Sequence, residues 1–88
     1  LMAQYERYSS SGEINSTVGD GAAVIESLSM TYSELEQDRL DGLTVTADTW
    51  WFNVRASNTE PLLRLNVEAD TEAEMTRVRD EVLSLVRQ

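Results

Sequence analysis

The side chains best suited to binding chemistry lie together in one short segment. Arg55-Ala56-Ser57-Asn58-Thr59-Glu60-Pro61 connects two apolar runs, Trp50–Val54 and Leu62–Val67, which both have the composition of β-strands. The segment offers a guanidinium, two hydroxyls, one amide side chain and several backbone N–H groups, which are the donors that a phosphate dianion requires. We therefore predict a phosphate-binding loop between two strands.

The backbone chemistry of the segment is compatible with such a loop. Asn58 tolerates the left-handed conformation that a concave arrangement of N–H groups needs, and Pro61 holds Glu60 extended at the start of the next strand. The same composition is also typical of an ordinary hairpin turn, and an arginine at a strand end is usually a solvated surface residue. Both interpretations remain open from the segment alone.

Composition limits the function classes that the chain can serve. The 88 residues are enough for one domain. Acidic residues number 16 against 7 basic ones, giving a net charge of −9, which argues against nucleic acid and against an anionic membrane as partners. The chain has no transmembrane-length apolar run and no signal peptide, so we expect a cytoplasmic protein.

The residues that usually carry catalysis are missing. The chain has no cysteine and no histidine, which excludes disulfides, thiolate chemistry and the commonest general base and metal ligand. The carboxylates show no acid–base pairing or metal-ligand spacing, and no serine has a neighbouring base. We predict no catalytic residue and no metal ligand here, so the isolated domain should bind without turnover.

Local patterns predict the elements that must position the loop. Asp20 is a plausible cap for a helix reaching about Tyr32, and Thr71-Glu72-Ala73-Glu74 is a capping box that opens a second helix. Residues 1–11 read as a helix end followed by a linker, so we expect a fragment of a longer protein. Alternation predicts strands over residues 13–18, 43–47, 50–55 and 62–69. Together they predict an α+β domain, a small antiparallel sheet with both helices packed on one face.

Alternation also assigns the charged residues to a face. In the strand before the loop, Phe52 and Val54 share the apolar face, and Arg55 points to the other. The next strand places Arg64 on its polar face. If the apolar faces of the two strands coincide, Arg55 and Arg64 lie on the same side of the sheet, near the loop.

Three segments together resemble the C-terminal domain of the α-D-phosphohexomutases. They are Tyr8-x-x-Ser11-Gly12-Glu13-Ile14-Asn15, then Trp51 through Pro61, then Leu63-Arg64 with Glu68-Ala69. The resemblance spans nearly all of residues 1–88 and implies a TATA-binding-protein-like fold and a position as the last of four domains. The family includes phosphomannomutases, phosphoglucomutases and phosphoglucosamine mutases, and Asn58 is more similar to the phosphomannomutase/phosphoglucomutase type.

The resemblance implies a function that needs the upstream domains of the same chain. There, an upstream phosphoserine would exchange a phosphoryl group with a phosphorylated hexose through a hexose 1,6-bisphosphate, with Mg²⁺ on an upstream acidic loop. In this domain Arg55 would clamp the phosphate that is not transferred. Ser57, Asn58 and Thr59 would be side-chain and backbone donors, Arg64 would support the loop, and no cofactor would bind.

Two other classes of function remain open. The chain could be a stand-alone α+β interaction or regulatory module that uses the open sheet face, with Trp51 as its anchor. It could also be a dimerisation domain, since the Trp50–Trp51 pair presents one indole on each face. A phosphoglucosamine mutase domain is the alternative within the family.

Overall fold

A computed structural model describes residues 9–40, 42–57 and 60–87 of the chain. Within these ranges six strands form one antiparallel sheet, and two helices accompany it. The strands are β1 (Ser9–Ser10), β2 (Ile14–Thr17), β3 (Glu36–Asp38), β4 (Leu43–Thr46), β5 (Trp50–Ala56) and β6 (Leu62–Ala69). The helices are α1 (Gly21–Thr31) and α2 (Glu72–Val86).

The long hairpin of β5 and β6 forms the centre of the sheet. β4 pairs with the outer edge of β5, and β3 pairs with β4. On the other side, β1 and β2 both pair with β6, one after the other along its length. The predicted loop therefore connects the two central strands, where neighbouring strands on both sides hold its ends.

The core lies between one face of this sheet and the two helices. Exposure alternates along β6, where Leu63, Leu65, Val67 and Ala69 are at most 2% exposed and the residues between them are half-buried. α2 contributes Met75, Val78, Val82 and Val86, and α1 contributes Leu28. The predicted α+β class and the predicted apolar faces are confirmed. The likeness to the TATA-binding-protein fold stays a prediction.

Both predicted helix starts are confirmed. The Asp20 carboxylate accepts a hydrogen bond from the Ala23 N–H at 3.1 Å, and the Thr71 hydroxyl accepts one from the Glu74 N–H at 3.2 Å. Each side chain pairs an amide that the first turn of a helix leaves without an internal partner. The helices thus begin where their local sequences place them.

Strand β3 was not predicted, because residues 33–40 show no clear pattern. Its middle residue, Gln37, faces the helices, and its side-chain amide donates to the carbonyls of Ser29 and Tyr32 at 2.8 and 2.9 Å. These carbonyls are at the end of α1, where the helical pairing stops; the Tyr32 carbonyl also accepts a hydrogen bond from the Leu35 N–H at 3.0 Å. β3 therefore depends on a contact with α1 that the sequence of the strand does not reveal.

The interpretation of residues 9–11 as a linker is corrected by the pairing of β1. Ser9 pairs with Ala69 and Ser10 with Glu68, and the Ser11 N–H donates to the Val67 carbonyl at 2.9 Å. The expected helix end over residues 1–8 lies outside the described residues. Serine-rich sequence favours breaks, but pairing with β6 overrides that preference here.

A bulge joins β1 to β2. From Ser10 to Ile14 the outer strand advances four residues, whereas the paired stretch of β6 from Glu68 to Leu65 advances three. Gly12 has φ of +69°, the left-handed conformation that such a bulge needs and that glycine adopts without a Cβ penalty. The extra residue explains why Gly12 interrupts the alternation without ending the sheet.

One hydrogen bond between the helices has a consequence for pH dependence. The Tyr32 hydroxyl donates to the Glu81 carboxylate, with 2.5 Å between the oxygens. Burial of the phenol, followed by the bond to Glu81 and its negative charge, raises the pKa of Tyr32 well above its ordinary value; Arg77 opposes this in part. The folded state therefore holds the phenol proton more tightly than the unfolded state does.

We expect the Tyr32 contribution to stability to be fully present below pH about 10 and to decline as pH rises further. In that range the unfolded state releases the proton while the folded state retains it. The free energy of unfolding, measured by urea denaturation from pH about 8 to about 11, should fall more steeply for the wild type than for Tyr32→Phe. Equal slopes in the two proteins would contradict this, since their other tyrosines are the same.

Candidate functional site

The predicted loop is a short hairpin connection with its own hydrogen bonds. The Ser57 N–H donates to the Leu62 carbonyl at 3.0 Å, which extends the β5–β6 ladder beyond Ala56. The Glu60 N–H donates to the Ser57 hydroxyl oxygen at 3.3 Å. β6 then begins at Leu62, directly after Pro61, as the sequence predicted. The two ends of the loop are thus held close together.

A second set of contacts ties the loop to the start of α1. The Val18 N–H donates to the Pro61 carbonyl at 2.9 Å. A Cβ placed on Gly21 would lie 3.3 Å from a methyl of Leu63 and 3.5 Å from the Cβ of Ala56, so the first turn of α1 lies against both arms of the hairpin. The loop is therefore supported by β2 and α1 from the helix-covered side of the sheet.

The open face of the sheet carries two arginines beside this loop. Arg55 on β5 pairs directly with Arg64 on β6. Directly paired residues of antiparallel strands have Cα atoms about 4.5–5.5 Å apart and side chains on the same face. The prediction that Arg64 shares the polar face with Arg55 is confirmed. Both arginines are half-buried, so their stems lie on the sheet while the face remains open.

Arg64 keeps unused hydrogen-bonding capacity. Its Nε is buried and has no hydrogen-bond partner in the described part of the chain. A carboxylate oxygen of Glu13 is 3.9 Å from Nε, and both side chains are more than two-fifths exposed. That distance is too long for a hydrogen bond, and exposed ion pairs contribute little to stability. Arg64 thus contributes positive charge to this face.

The structure describes only some of the predicted phosphate donors. Arg55 and Ser57 are described, and each interacts with a neighbouring group. Asn58 and Thr59 lie outside the described residues. The Ser57 amide had been counted among the backbone donors, but its N–H is bonded within the sheet, so it is not available to a ligand in this conformation. The Ser57 hydroxyl oxygen accepts a hydrogen bond from the Glu60 N–H through one of its lone pairs.

Gly42 follows Asp41 in an Asp-Gly dipeptide, which is typical of tight turns, and the sequence pattern predicts no part for it in the site. Leu43 pairs with Val54, so Gly42 stands opposite Arg55 at the start of β4. A Cβ placed on Gly42 would lie 2.7 Å from Cγ of Arg55 and 2.3 Å from the Val54 carbonyl oxygen. The Asp-Gly dipeptide was the visible signal, but only the strand register shows which residue it faces.

The described part of the chain was also compared with the requirements of a metal site and of a membrane span, and it meets neither. It contains no group of three or more carboxylates close enough to hold a metal ion, and histidine and cysteine do not occur in the sequence. None of the helices within those ranges is both long and apolar enough to cross a membrane.

Comparison with known proteins gives one consistent result. Residues 13–85 match the protein family described as phosphoglucomutase/phosphomannomutase, C-terminal domain. The phosphomannomutase of Methanocaldococcus jannaschii is 40% identical over 86 residues, which are 98% of this chain and 19% of that protein. A phosphomannomutase of Salmonella montevideo is 42% identical over 82 residues, 90% of this chain and 18% of that protein. The chain thus spans about a fifth of the length of these relatives.

Proposed function

The chain belongs to the phosphoglucomutase/phosphomannomutase C-terminal domain family, and we propose that it is the substrate-phosphate-binding domain of a phosphohexomutase. The observation that carries the proposal is the direct pairing of Arg55 with Arg64 on an open sheet face, beside a hairpin loop held at both ends. A phosphomannomutase is the preferred member, because the relatives from Methanocaldococcus and Salmonella bear that name.

The charge arrangement supports an anionic ligand. Like charges directly opposite each other on neighbouring strands are destabilising. A bound phosphate dianion would offset that repulsion and would accept hydrogen bonds from planar guanidinium groups. The chain is strongly acidic, with a net charge of −9, so this positive pair stands out locally against the charge of the whole domain.

In the proposed mechanism this chain binds the end of the substrate that does not react. Arg55 would bind the phosphate that is not transferred, and Arg64 would add positive charge. Hydrogen bonds to the phosphate oxygens would come from the side chains of Ser57, Asn58 and Thr59. Binding energy from a remote group can orient the reacting group, which raises the rate of the chemical step. A loop that contacts only phosphate oxygens suits a mutase, since a hexose 1-phosphate and a hexose 6-phosphate present the same group in opposite orientations.

The remaining chemistry is assigned to parts of the enzyme outside this chain. The proposal places the transferred phosphoryl group on an upstream serine, with a hexose 1,6-bisphosphate as intermediate. We propose that Mg²⁺ is held upstream as well, on an acidic loop. We further propose that the enzyme is cytoplasmic and that this domain alone has no mutase activity.

The proposal is tested by titrating the ¹⁵N-labelled chain with inorganic phosphate, with chloride at matched ionic strength as the control. We expect weak affinity, on the order of millimolar, because the isolated site is open to solvent and its hydrogen bonds compete with water. Amide shifts should be concentrated in residues 55–60. Shifts spread evenly over the chain, or identical shifts with chloride, would show that the loop is not a phosphate site.

A further inference from the structure

We propose that Gly42 is a positioning residue for the phosphate site, because its missing side chain lets Arg55 lie across the start of β4. This inference rests on the proposed function. Gly42 has φ of +75°, a conformation that residues with a Cβ rarely adopt. The absence of a Cβ serves a second purpose here, which is space for the stem of Arg55.

The contact distances show how tightly Arg55 occupies that space. A Cβ on Gly42 would be 2.7 Å from Cγ of Arg55 and 3.1 Å from its Cα. Two carbon atoms in van der Waals contact are about 3.5–4.0 Å apart. The Val54 carbonyl oxygen would be closer still, at 2.3 Å, so an added methyl group would have to displace the backbone of β5 as well as the stem of Arg55. In the native chain the first methylenes of Arg55 lie over the bare glycine.

The register gives this contact a direction. Across the open face, Gly42 stands opposite Arg55, Arg55 opposite Arg64, and Arg64 opposite Asn15. Arg55 leans toward β4, where Gly42 is, whereas the Nε of Arg64 lies on the β2 side, 3.9 Å from a Glu13 oxygen. The two stems therefore diverge. A side chain at position 42 would crowd the backbone of β5 and the stem of Arg55, so Arg55 would have to leave its present position.

Gly12 provides a matched control for the backbone effect. It also has a positive φ, +69°, but a Cβ placed on it would have nothing within 4 Å. Gly12→Ala therefore introduces a similar left-handed strain at a distance from Arg55, without steric contact. A difference between Gly42→Ala and Gly12→Ala in phosphate binding reports the two steric contacts of position 42, with the Val54 carbonyl oxygen and with the Arg55 stem, because the left-handed strain is common to both variants.

The test is phosphate titration of four proteins under conditions in which each is folded, with NMR amide shifts as the readout. They are the wild type, Gly42→Ala, Gly12→Ala and Arg55→Ala. Forcing a side chain away from its preferred rotamer should weaken phosphate affinity about 3- to 10-fold in Gly42→Ala. Gly12→Ala should stay within about twofold of the wild type. If Gly42→Ala binds phosphate as Gly12→Ala does, the positioning role is overturned.

A measurement on the wild type keeps the inference testable if Gly42→Ala does not fold. Nuclear Overhauser contacts should connect the α protons of Gly42 to the γ protons of Arg55, and phosphate should shift the Gly42 amide. Absence of these contacts would overturn the inference. The two proposals fail differently: a wild type that does not respond to phosphate rejects the phosphate site. A loss confined to Arg55→Ala, with Gly42→Ala unaffected, rejects only the positioning role.

Discussion

Replacing Arg55 by alanine is expected to remove the localised response to phosphate. A hydrogen bond to a charged group contributes about 1.5–3 kcal/mol, so losing even one weakens affinity by about 10- to 100-fold. Starting from millimolar affinity, the Arg55→Ala variant should show no saturable shifts at residues 55–60. Because Arg55 is half-buried on the open face, its truncation leaves the core residues untouched.

Three further substitutions separate charge, geometry and location. Arg55→Lys keeps the charge but loses the planar fork, so its affinity should fall between those of the wild type and Arg55→Ala. Arg64→Ala should weaken binding less than Arg55→Ala does, since Arg55 is the first residue of the loop segment and Arg64 lies beyond its end, on β6. Arg77→Ala removes the same charge from an exposed position on α2, where it contacts only Glu74 at 3.5 Å among the ion pairs described. An equal loss in Arg77→Ala would mean that net charge, and not the site, controls binding.

The largest effect on stability is expected from Phe52→Ala. Phe52 is fully buried, with its ring edge-on to Tyr32 at 5.4 Å between centroids and stacked on Trp50 at 6.1 Å. Removing a buried phenylalanine side chain costs about 3–5 kcal/mol. Folded domains have about 5–15 kcal/mol in total, and a domain of this size is at the lower end, so much of the chain should be unfolded. Urea denaturation followed by tryptophan fluorescence measures the change.

Met30→Ala is the matched control for this prediction. Met30 is on α1 but is 73% exposed. Truncating an exposed side chain usually changes the free energy of unfolding by less than about 0.5 kcal/mol. If Phe52→Ala were no more destabilised than Met30→Ala, the assignment of Phe52 to the helix-covered face would be wrong. Arg55 on the same strand would then no longer be placed on the open face.

The sequence alone determined the features that depend on nearby residues. Alternation along β5 and β6 identified the buried face, and so placed Arg55 and Arg64 on the other one. The caps Asp20 and Thr71 located both helix starts, because an N-cap bonds to an amide only three residues away. Side-chain direction in a strand has a period of two residues, which can be read without knowing the partner strand.

The tertiary structure decided what depends on pairing between distant residues. β3 pairs with β4 and bonds through Gln37 to the end of α1, and Ser9–Ser10 forms a strand because β6 offers an open edge. In the same way, only the strand register shows that Gly42 lies opposite Arg55 and that the Ser57 N–H donates to the Leu62 carbonyl. Propensity is a local and weak preference, whereas strand pairing satisfies backbone groups and buries side chains together. Sequence could therefore name the loop, but only the assembled sheet showed which neighbours shape it.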